Sequence, residues 1–266
     1  MKIGFIGTGN MGGALARAAA KGGHTLLLAN RTPAKAEALA QELGGTVCPN
    51  AQAAETAELL FLGVKPQGLP GLTGELAPVL QARKGNAPVV VSMATAVTLR
   101  ELEARRGGGL PLIRSMPNSP AAVGAGTILY AAQNVTDAQL NAFRAVLAQA
   151  GLLLPLPEAQ IDAASAISGC GPAFCFQFAD ALALGGVRAG LSYPDACRLA
   201  AQTMLGAAEM LLHSGEAPDV LKMRVCSPAG TTIEGVLALE QGGFSYTVQN
   251  AVTAAYRRTV EMTRKG

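Results

Sequence analysis

The stretch that decides the fold is Met1-Lys-Ile-Gly-Phe-Ile-Gly-Thr-Gly-Asn-Met-Gly12. Its apolar residues predict a short strand, and Gly7-x-Gly9-x-x-Gly12 follows at once and leads into an alanine-rich helical pattern. In this setting the first glycine permits a tight turn, the second lets the backbone approach a pyrophosphate, and the third allows close packing of helix on strand. The spacing therefore predicts a dinucleotide site with the pyrophosphate at the helix N-terminus. An ordinary glycine-rich turn is the alternative.

The rest of the first half alternates short apolar segments with helical stretches. Continuous apolar strands between helices indicate a parallel sheet covered on both faces. After Pro157 the strand signals stop and only helical patterns follow. We therefore expect an α/β Rossmann-like N-terminal domain over residues 1–157 and an all-α domain over residues 158–266. The predicted strands cover 2–6, 25–29, 46–47, 59–64, 88–92, 112–115, 127–131 and 151–156, and the predicted helices 10–21, 33–43, 51–57, 74–81, 137–149, 172–188, 192–213, 219–224 and 246–264, with one more after Thr231.

The segment 172–188 is apolar on every side of a helix, with phenylalanine and leucine on all its faces. Such a helix is stable only when it is buried all round. A domain of only about 110 residues has little interior in which to bury it. We therefore expect the all-α domain to be a dimerisation domain that completes its core against a second copy of the chain.

Composition excludes several other classes of protein. The formal net charge is only +3 and the basic residues are scattered, which argues against a nucleic-acid partner. No apolar stretch is expected to reach the roughly 18 residues of a membrane span, and Ile3–Ile6 is too short for the core of a signal peptide. Five cysteines without a CxxC pair argue against disulfides and against a metal site. We expect a soluble cytoplasmic protein with no membrane partner and no metal, acting on a small molecule.

The end of the second predicted strand indicates which dinucleotide binds. An NAD site usually has a carboxylate there that accepts a hydrogen bond from the ribose 2′-hydroxyl. This chain has Asn30-Arg31-Thr32 instead, with no acid before Glu37. A guanidinium and small polar groups suit a 2′-phosphate, which a carboxylate would repel. We expect NADPH as the preferred cofactor and NADH as the alternative, unless Arg31 is simply a surface residue.

Two further segments follow predicted strands of the same sheet. Gly63-Val-Lys-Pro66 places Lys65 where ligands bind in open parallel sheets, although a solvent-exposed lysine is an equal alternative. Ser92-Met-Ala-Thr95 follows the next strand and is expected to pass the nicotinamide with its backbone.

In the helical half one loop is suited to a substrate. Ser227-Pro-Ala-Gly-Thr-Thr232 offers small residues, two threonine hydroxyls and free backbone N–H groups just before a predicted helix. Such a helix N-terminus can receive a carboxylate. The alternative is a structural capping box, with Thr231 as the N-cap and Glu234 as its partner, and the residues alone favour it.

The helical half lacks an evident general acid or base. Its only histidine is His213, its only lysines are Lys222 and Lys265, and no histidine–acid pair or lysine on an apolar face is suggested. Oxidation of a hydroxyl usually needs such a group. A cyclic imine needs less help, because it can take up its own proton and accept hydride as the iminium. This pattern favours an imine as the substrate.

These residues resemble those of the pyrroline-5-carboxylate reductases, a family that makes proline from Δ1-pyrroline-5-carboxylate with NAD(P)H. The resemblance covers essentially the whole chain. It includes Gly4-Phe-Ile-Gly-Thr-Gly-Asn-Met-Gly-Gly13, Phe61-Leu-Gly-Val-Lys-Pro-Gln67, Arg114-Ser-Met-Pro-Asn-Ser-Pro120, Ile167-Ser-Gly-Cys-Gly-Pro-Ala-Phe174, Ala200-Ala-Gln-Thr-Met-Leu-Gly-Ala-Ala208, Ser227-Pro-Ala-Gly-Thr-Thr-Ile-Glu-Gly235 and Leu239-Glu-Gln-Gly-Gly-Phe244.

The resemblance implies a site residue by residue. It implies that backbone N–H groups of the loop that contains Ser227, Gly230 and Thr231 hold the substrate carboxylate, and that the hydroxyl of Thr232 reaches the imine nitrogen as the catalytic group. The Met116–Pro120 loop would line the same cleft. NADP would be bound by Ile6, Gly7, Thr8, Gly9, Asn10, Met11, Gly12, Asn30, Arg31, Thr32, Asn50, Gly63, Val64, Lys65, Pro66, Met93, Ala94 and Thr95.

The resemblance also implies an assembly and shows three departures. Family members are dimers through interleaved helical domains, often assembled further into rings of dimers. Ala96 and Ala229 stand where the family usually has glycine, and Cys170 where serine is common. All three are small, so they bear on fine loop geometry rather than on activity.

Two other functions share this plan. A β-hydroxyacid dehydrogenase would need a catalytic lysine in the helical half, and the segment 172–188 carries none. A dinucleotide-sensing protein without turnover would be expected to have lost Thr232 or its loop, and both are present.

Overall fold

Eight strands form a single sheet in the order β3-β2-β1-β4-β5-β6-β7-β8 in a computed structural model, which describes residues 1–83, 85–104 and 109–265. The strands are β1 (Lys2–Ile6), β2 (Thr25–Ala29), β3 (Thr46–Val47), β4 (Leu59–Leu62), β5 (Val89–Ser92), β6 (Leu112–Pro117), β7 (Gly126–Gln133) and β8 (Gly151–Pro155). The strands that were predicted from the apolar segments are therefore present, each within a few residues of its expected bounds.

One pair of strands departs from the parallel sheet expected from the sequence. All neighbours run parallel except β6 and β7, which are antiparallel. The connection between them contains only the 3-10 helix Ser119–Val123. A parallel crossover needs a dozen or more residues, so this short connection can only turn the chain back. The Rossmann-like fold class is confirmed, and the expectation of a wholly parallel sheet is wrong at this pair.

Helices cover both faces of the sheet and bury two apolar layers. The first layer lies under α1 (Asn10–Ala20), α2 (Pro33–Leu43) and α6 (Asp137–Leu147), and the second under α3 (Asn50–Thr56), α4 (Leu69–Ala82), α5 (Leu99–Ala104) and α7 (Glu158–Ser168). Successive strand residues alternate between the layers, so Phe5 and Phe61 stack at 4.6 Å in the first while Ile6 and Leu62 lie in the second.

Three helices in this half differ from the predictions. α4 begins at Leu69 rather than near residue 74, because Pro70 is accommodated in its first turn. α5 and α7 were not predicted. The described part of α5 has six residues, too few for a periodic pattern. α7 buries only Ile161, Ser165 and Ala166, which is too weak an apolar stripe to be read from the sequence.

The chain divides into two compact units: the sheet unit, made of Met1–Cys170 with the C-terminal residues from Ala255, and the helical unit, made of Gly171–Ala254. The second unit contains α8 (Gly171–Arg188), α9 (Tyr193–Ser214), α10 (Pro218–Arg224), α11 (Thr231–Gln241) and most of α12 (Phe244–Lys265). The predicted N-cap of α9 is confirmed, because the Ser192 hydroxyl accepts the Asp195 N–H at 3.3 Å.

Little of the second unit is buried within one chain. Among residues 171–254 the buried apolar side chains are Ala183, Ala196 and Ala200, whereas Phe176 is 70% exposed and Leu184 is 55% exposed. One segment, Glu158–Arg188, contains an 18-residue stretch with a mean hydropathy of 1.3 and is, by length and composition only, long and apolar enough to cross a membrane. The expectation that no stretch reaches that threshold is therefore wrong, because alanine and cysteine between the larger side chains raise its hydropathy.

Candidate active site

The glycine-rich turn between β1 and α1 is tightly packed except at its middle glycine. Gly7 has φ of +100°, and a Cβ there would lie 2.6 Å from the carbonyl oxygen of Gly63. A Cβ on Gly12 would overlap the carbonyl oxygen of Gly7. Gly9, in contrast, has no atom within 4 Å of its Cβ position. This is the arrangement that a pyrophosphate needs, because the open side of Gly9 lets a ligand approach the backbone.

The first turn of α1 can accept an anion. Its N-cap is Gly9, no side chain caps it and no acidic residue lies in its first turn. The N–H groups and the helix dipole therefore favour negative charge at this end. The Thr8 hydroxyl beside it is buried and has no hydrogen-bond partner among the described residues. An unpaired buried hydroxyl in the turn fits a bound polar ligand, so these residues fit a dinucleotide.

Asn30 ties this turn to the segment expected to hold the 2′-phosphate. Its side-chain oxygen accepts the Thr8 N–H at 3.0 Å, and its side-chain nitrogen donates to the Thr32 carbonyl at 2.9 Å. Arg31 and Thr32 are exposed at the end of β2. The amide of Asn30 thus orders the two loops, and Arg31 extends where a phosphate could reach it.

The remaining cofactor candidates lie at the ends of adjacent strands. Gly63 follows β4 and donates its N–H to Ile6 at 2.8 Å, and Met93 follows β5 and packs its methyl group against Gly63. Lys65 is exposed at the start of a short 3-10 helix. Asn50 begins α3, and its side-chain amide donates to Glu75 at 3.2 Å. The structure therefore brings the predicted residues together at the carboxyl edge of β2, β1, β4 and β5.

A buried ionic cluster was missed from the sequence. Arg114 on β6 is 1% exposed, and its guanidinium donates to Asp162 and lies 3.5 Å from Glu158, both on α7. Glu158 also accepts the Leu99 N–H at 2.6 Å. The available signal was an arginine inside an apolar strand, because a buried guanidinium has to find carboxylate partners. The partners themselves lie more than 40 residues away along the chain.

The Met116–Pro120 loop uses its asparagine for structure. Asn118 is 7% exposed; its side-chain oxygen accepts the Thr127 N–H at 2.8 Å, and its nitrogen donates to the Ser168 carbonyl at 2.9 Å. These bonds fix the loop to β7 and to the C-terminus of α7.

The Ser227–Thr232 loop precedes α11 as expected, but the helix is not capped as expected. Its N-cap is Gly230, Thr231 is already helical, and no side chain caps the first turn. The interpretation of Thr231 and Glu234 as a capping box is therefore wrong. The Gly230 N–H bonds to the Ser227 carbonyl at 3.0 Å, and a Cβ on Gly230 would overlap the Ser227 hydroxyl. The first-turn N–H groups and the exposed Thr232 hydroxyl remain available to a ligand.

Two side-chain pairs in the helical unit bear on proton transfer. His213 lies 3.3 Å from Glu209, so a histidine–acid pair exists that the sequence analysis did not expect. Both side chains are exposed late in α9. Tyr193 donates to Asp180 at 2.8 Å, and this bond, with Cys197 nearby, raises the pKa of Tyr193 to about 12. Neither pair suggests an acid or base for catalysis.

Comparison with known proteins identifies the family. A family model described as pyrroline-5-carboxylate reductase dimerisation matches residues 158–262, and one described as NADP oxidoreductase, coenzyme F420-dependent, matches residues 2–96. Pyrroline-5-carboxylate reductase 3 of Macaca fascicularis is 36% identical over 269 residues, which cover 99% of this chain and 97% of that protein. Pyrroline-5-carboxylate reductase of Synechocystis sp. is 41% identical over 220 residues, 81% and 79% of the two chains. This chain belongs to the pyrroline-5-carboxylate reductase family.

A solved structure agrees with this assignment. The crystal structure of Plasmodium falciparum pyrroline carboxylate reductase with NADP bound superposes with a TM-score of 0.87 at 29% identity and covers 99% of both chains. Together with the NADP oxidoreductase model, it confirms the expected fold and the expected use of an NAD(P)H cofactor.

The family's dimerisation domain explains the exposed apolar surface of the helical unit. A cavity of about 560 Å³ in this unit is lined almost entirely by apolar side chains, among them Phe174, Phe178, Leu182, Met204, Leu239 and Phe244. Surfaces of this kind mark protein–protein contacts. The expected homodimer is confirmed by the dimerisation model that spans these residues.

Two of the departures from the family pattern lie at unusual backbone positions. Ala96, in the loop after β5, has φ of +60°, and Ala229, in the loop before α11, has φ of +53°. Glycine adopts this left-handed region freely, whereas alanine does so at a cost of about 1–2 kcal/mol. The family's usual glycine at these positions therefore has a conformational reason, and this chain keeps the same loop shape at some cost.

Proposed function

We propose that this chain reduces Δ1-pyrroline-5-carboxylate to L-proline with NADPH, by hydride transfer to the carbon of the C=N bond, as the last step of proline biosynthesis. The observation that carries this proposal is the uncapped N-terminus of α11, which offers N–H groups to a carboxylate and has the Thr232 hydroxyl in its first turn. Because the chain belongs to the pyrroline-5-carboxylate reductase family, we infer that the ligand at this helix N-terminus is a cyclic imino acid.

We assign the cofactor to the carboxyl edge of the sheet. The turn from Ile6 through Gly12 would bind the pyrophosphate, and Arg31 with Thr32 would bind the 2′-phosphate, which favours NADPH over NADH. Asn30 would order these two loops. NADPH supplies the hydride when bound. The remaining assigned residues are Asn50, Gly63, Val64, Lys65, Pro66, Met93, Ala94 and Thr95, which would line the rest of the dinucleotide.

We assign the substrate to the loop from Ser227 to Thr232. The N–H groups of Thr231 and Thr232 would hold the carboxylate, with the positive end of the α11 dipole adding to the attraction. Gly230, whose N–H donates to the Ser227 carbonyl, would shape the loop. The Thr232 hydroxyl would hydrogen-bond to the ring nitrogen. The substrate enters as the protonated iminium, so hydride addition at carbon gives the secondary amine directly, and no strong general acid is required.

We also propose the setting in which the enzyme works. We place the domain boundary after Pro157, supported by the start of the dimerisation model at residue 158. The compact units within one chain divide after Cys170 instead, because α7 packs against the sheet. The homodimer is the assembly that we propose, and the resemblance implies that such dimers often assemble further into rings. Relatives from Synechocystis sp. and Mycobacterium tuberculosis are named pyrroline-5-carboxylate reductase, and we propose a cytoplasmic location for this chain.

The direct test is turnover. The purified protein is mixed with NADPH and Δ1-pyrroline-5-carboxylate, NADPH oxidation is followed by absorbance, and proline is quantified. We expect one proline per NADPH oxidised. Oxidation without proline, or no oxidation by a folded dimer, would contradict the proposal.

Thr232→Ala tests the residue assignment. We expect kcat to fall by about 10²-fold, the usual effect of losing one hydrogen bond to the reacting group, with NADPH affinity unchanged. Thr253→Ala is the matched control, because among the described residues the Thr253 hydroxyl bonds only to the Gln249 carbonyl within its own helix. Equal losses in both variants, or loss of cofactor binding in Thr232→Ala, would show that the substrate site is misplaced.

A further inference from the structure

The cluster around Arg114 joins two elements that are distant in sequence. Arg114 lies on β6, and its two carboxylate partners, Glu158 and Asp162, lie on α7. The Arg114 side chain is 2% exposed, whereas those of Glu158 and Asp162 are 29% and 19% exposed. The Nε of Arg114 has no partner among the described residues. The guanidinium is therefore buried with its hydrogen bonds incompletely satisfied.

Such a cluster is poorly explained as a source of stability. A buried ion pair often contributes no more than apolar side chains of similar volume, because desolvation offsets the attraction. An unsatisfied guanidinium N–H adds to that cost. What a buried, charge-paired network does provide is one fixed geometry for the groups that it holds. The Arg114 cluster therefore serves to hold a neighbouring group in place.

The Arg114 cluster holds the loop that follows β5. The same Glu158 oxygen that faces Arg114 accepts the N–H of Leu99 at 2.6 Å. Leu99 is the first residue of α5 and follows directly on the loop Met93–Thr98. At the other end of this loop the Ser92 hydroxyl accepts the Ala94 N–H at 3.4 Å. The loop is thus fixed at both ends, with the left-handed Ala96 between them.

We propose that Glu158, itself held by Arg114, is a positioning residue that fixes the Met93–Thr98 loop in the shape that receives the nicotinamide half of the cofactor. This inference rests on the proposed function for the placement of the nicotinamide. Glu158 does not touch the cofactor, and acts through the backbone of Leu99. Asp162 shares the Arg114 charge and keeps the guanidinium directed towards α7.

The test separates the two halves of the cofactor. Glu158→Ala removes the acceptor for the Leu99 N–H, whereas Glu158→Gln keeps an acceptor oxygen at the same reach. For each variant we measure NADPH affinity, affinity for adenosine 2′,5′-bisphosphate, and hydrogen exchange of the segment 93–99 without cofactor. Adenosine 2′,5′-bisphosphate carries the 2′-phosphate but no nicotinamide, so its binding reports the rest of the site.

For Glu158→Ala we expect hydrogen exchange in the segment 93–99 to be about tenfold faster, because one amide loses its hydrogen bond. We expect NADPH to bind about fivefold more weakly, while the affinity for adenosine 2′,5′-bisphosphate stays unchanged. Glu158→Gln should restore most of both. The matched control is Glu103→Ala, which removes a carboxylate at the other end of α5, where Glu103 accepts from Gln133 at 2.6 Å. It should alter neither the exchange of 93–99 nor the ratio of the two affinities.

Three results would overturn the inference. These are unchanged exchange in Glu158→Ala, equal loss of affinity for both ligands, or a Glu158→Gln variant as impaired as Glu158→Ala. None of these measurements uses turnover, so a wild-type protein that binds NADPH but forms no proline would refute the proposed function and leave the loop test intact.

Discussion

The sheet unit and the helical unit of this chain solve the problem of burial in different ways. In the sheet unit whole strands are buried, and Phe5, Phe61 and Val91 are fully covered within one chain. In the helical unit only small alanines are buried, while large apolar side chains such as Phe176 and Leu184 remain exposed. Apolar area of this extent is stable in water only when something covers it. The sheet unit therefore buries its apolar side chains within one chain, whereas the helical unit buries them against a second copy of the chain.

The largest expected effect comes from placing a charge on the exposed face of α8. Phe176→Asp costs little in an isolated chain but would bury a carboxylate in the dimer, at a cost of several kcal/mol. We expect a monomer of 27.0 kDa by light scattering and turnover at least about 10²-fold lower. NADPH binding, a property of the sheet unit, should persist.

Val123→Asp is the matched control for that variant. Val123 lies in the sheet unit and is 80% exposed, more than the 70% of Phe176. If exposure alone decided the effect, Val123→Asp would be the more harmful change. We expect it to remain dimeric and active, and a Phe176→Asp protein that also stays dimeric and active would remove the distinction between the units.

The two units also differ in how well the sequence predicts them. The glycine turn and the strands follow from local patterns, because each strand and its turn are encoded by consecutive residues. The apolar pattern of 172–188 indicated a partner for the same reason. What the sequence could not give is long-range pairing: the bonds among Arg114, Glu158 and Leu99 depend on the completed sheet.

Smaller errors in the sequence-based predictions also concern features that local patterns do not encode. The antiparallel β6–β7 pair depends on a connection whose short 3-10 helix was not anticipated. The capping of α11 was misjudged because Thr231 matches a cap motif while the chain enters the helix one residue earlier. In the candidate site, the residue types were predictable, but the role of Asn30 in joining two loops was not.

An intermediate effect is expected at Arg31, the residue that we propose binds the 2′-phosphate. Arg31→Ala should weaken NADPH binding by about tenfold to a hundredfold, the range for losing a charge-assisted hydrogen bond, and leave NADH binding nearly unchanged. Titration of each cofactor into the variant measures this. The dimer should be unaffected, because Arg31 belongs to the sheet unit, which buries its core within one chain. Equal weakening of both cofactors would argue against the phosphate assignment.

The smallest effects are expected at the two left-handed alanines, one in each unit. Ala96→Gly and Ala229→Gly should each raise the free energy of unfolding by up to about 1 kcal/mol, because glycine adopts positive φ without strain. Thermal unfolding with calorimetry measures this. Ala238→Gly, within α11, is the control and should lower stability by about 1 kcal/mol. Destabilisation in all three variants would mean that φ at Ala96 and Ala229 carries no strain.

The most direct test of the contrast between the units is hydrogen exchange as a function of protein concentration. The protein is diluted through the range in which light scattering shows its mass falling from twice 27.0 kDa to 27.0 kDa. We predict that α8 amides lose protection in step with the mass, because their cover is the second copy, while amides of β1, β4 and β5 stay protected throughout. Protection of α8 that is independent of concentration across that range would contradict the account.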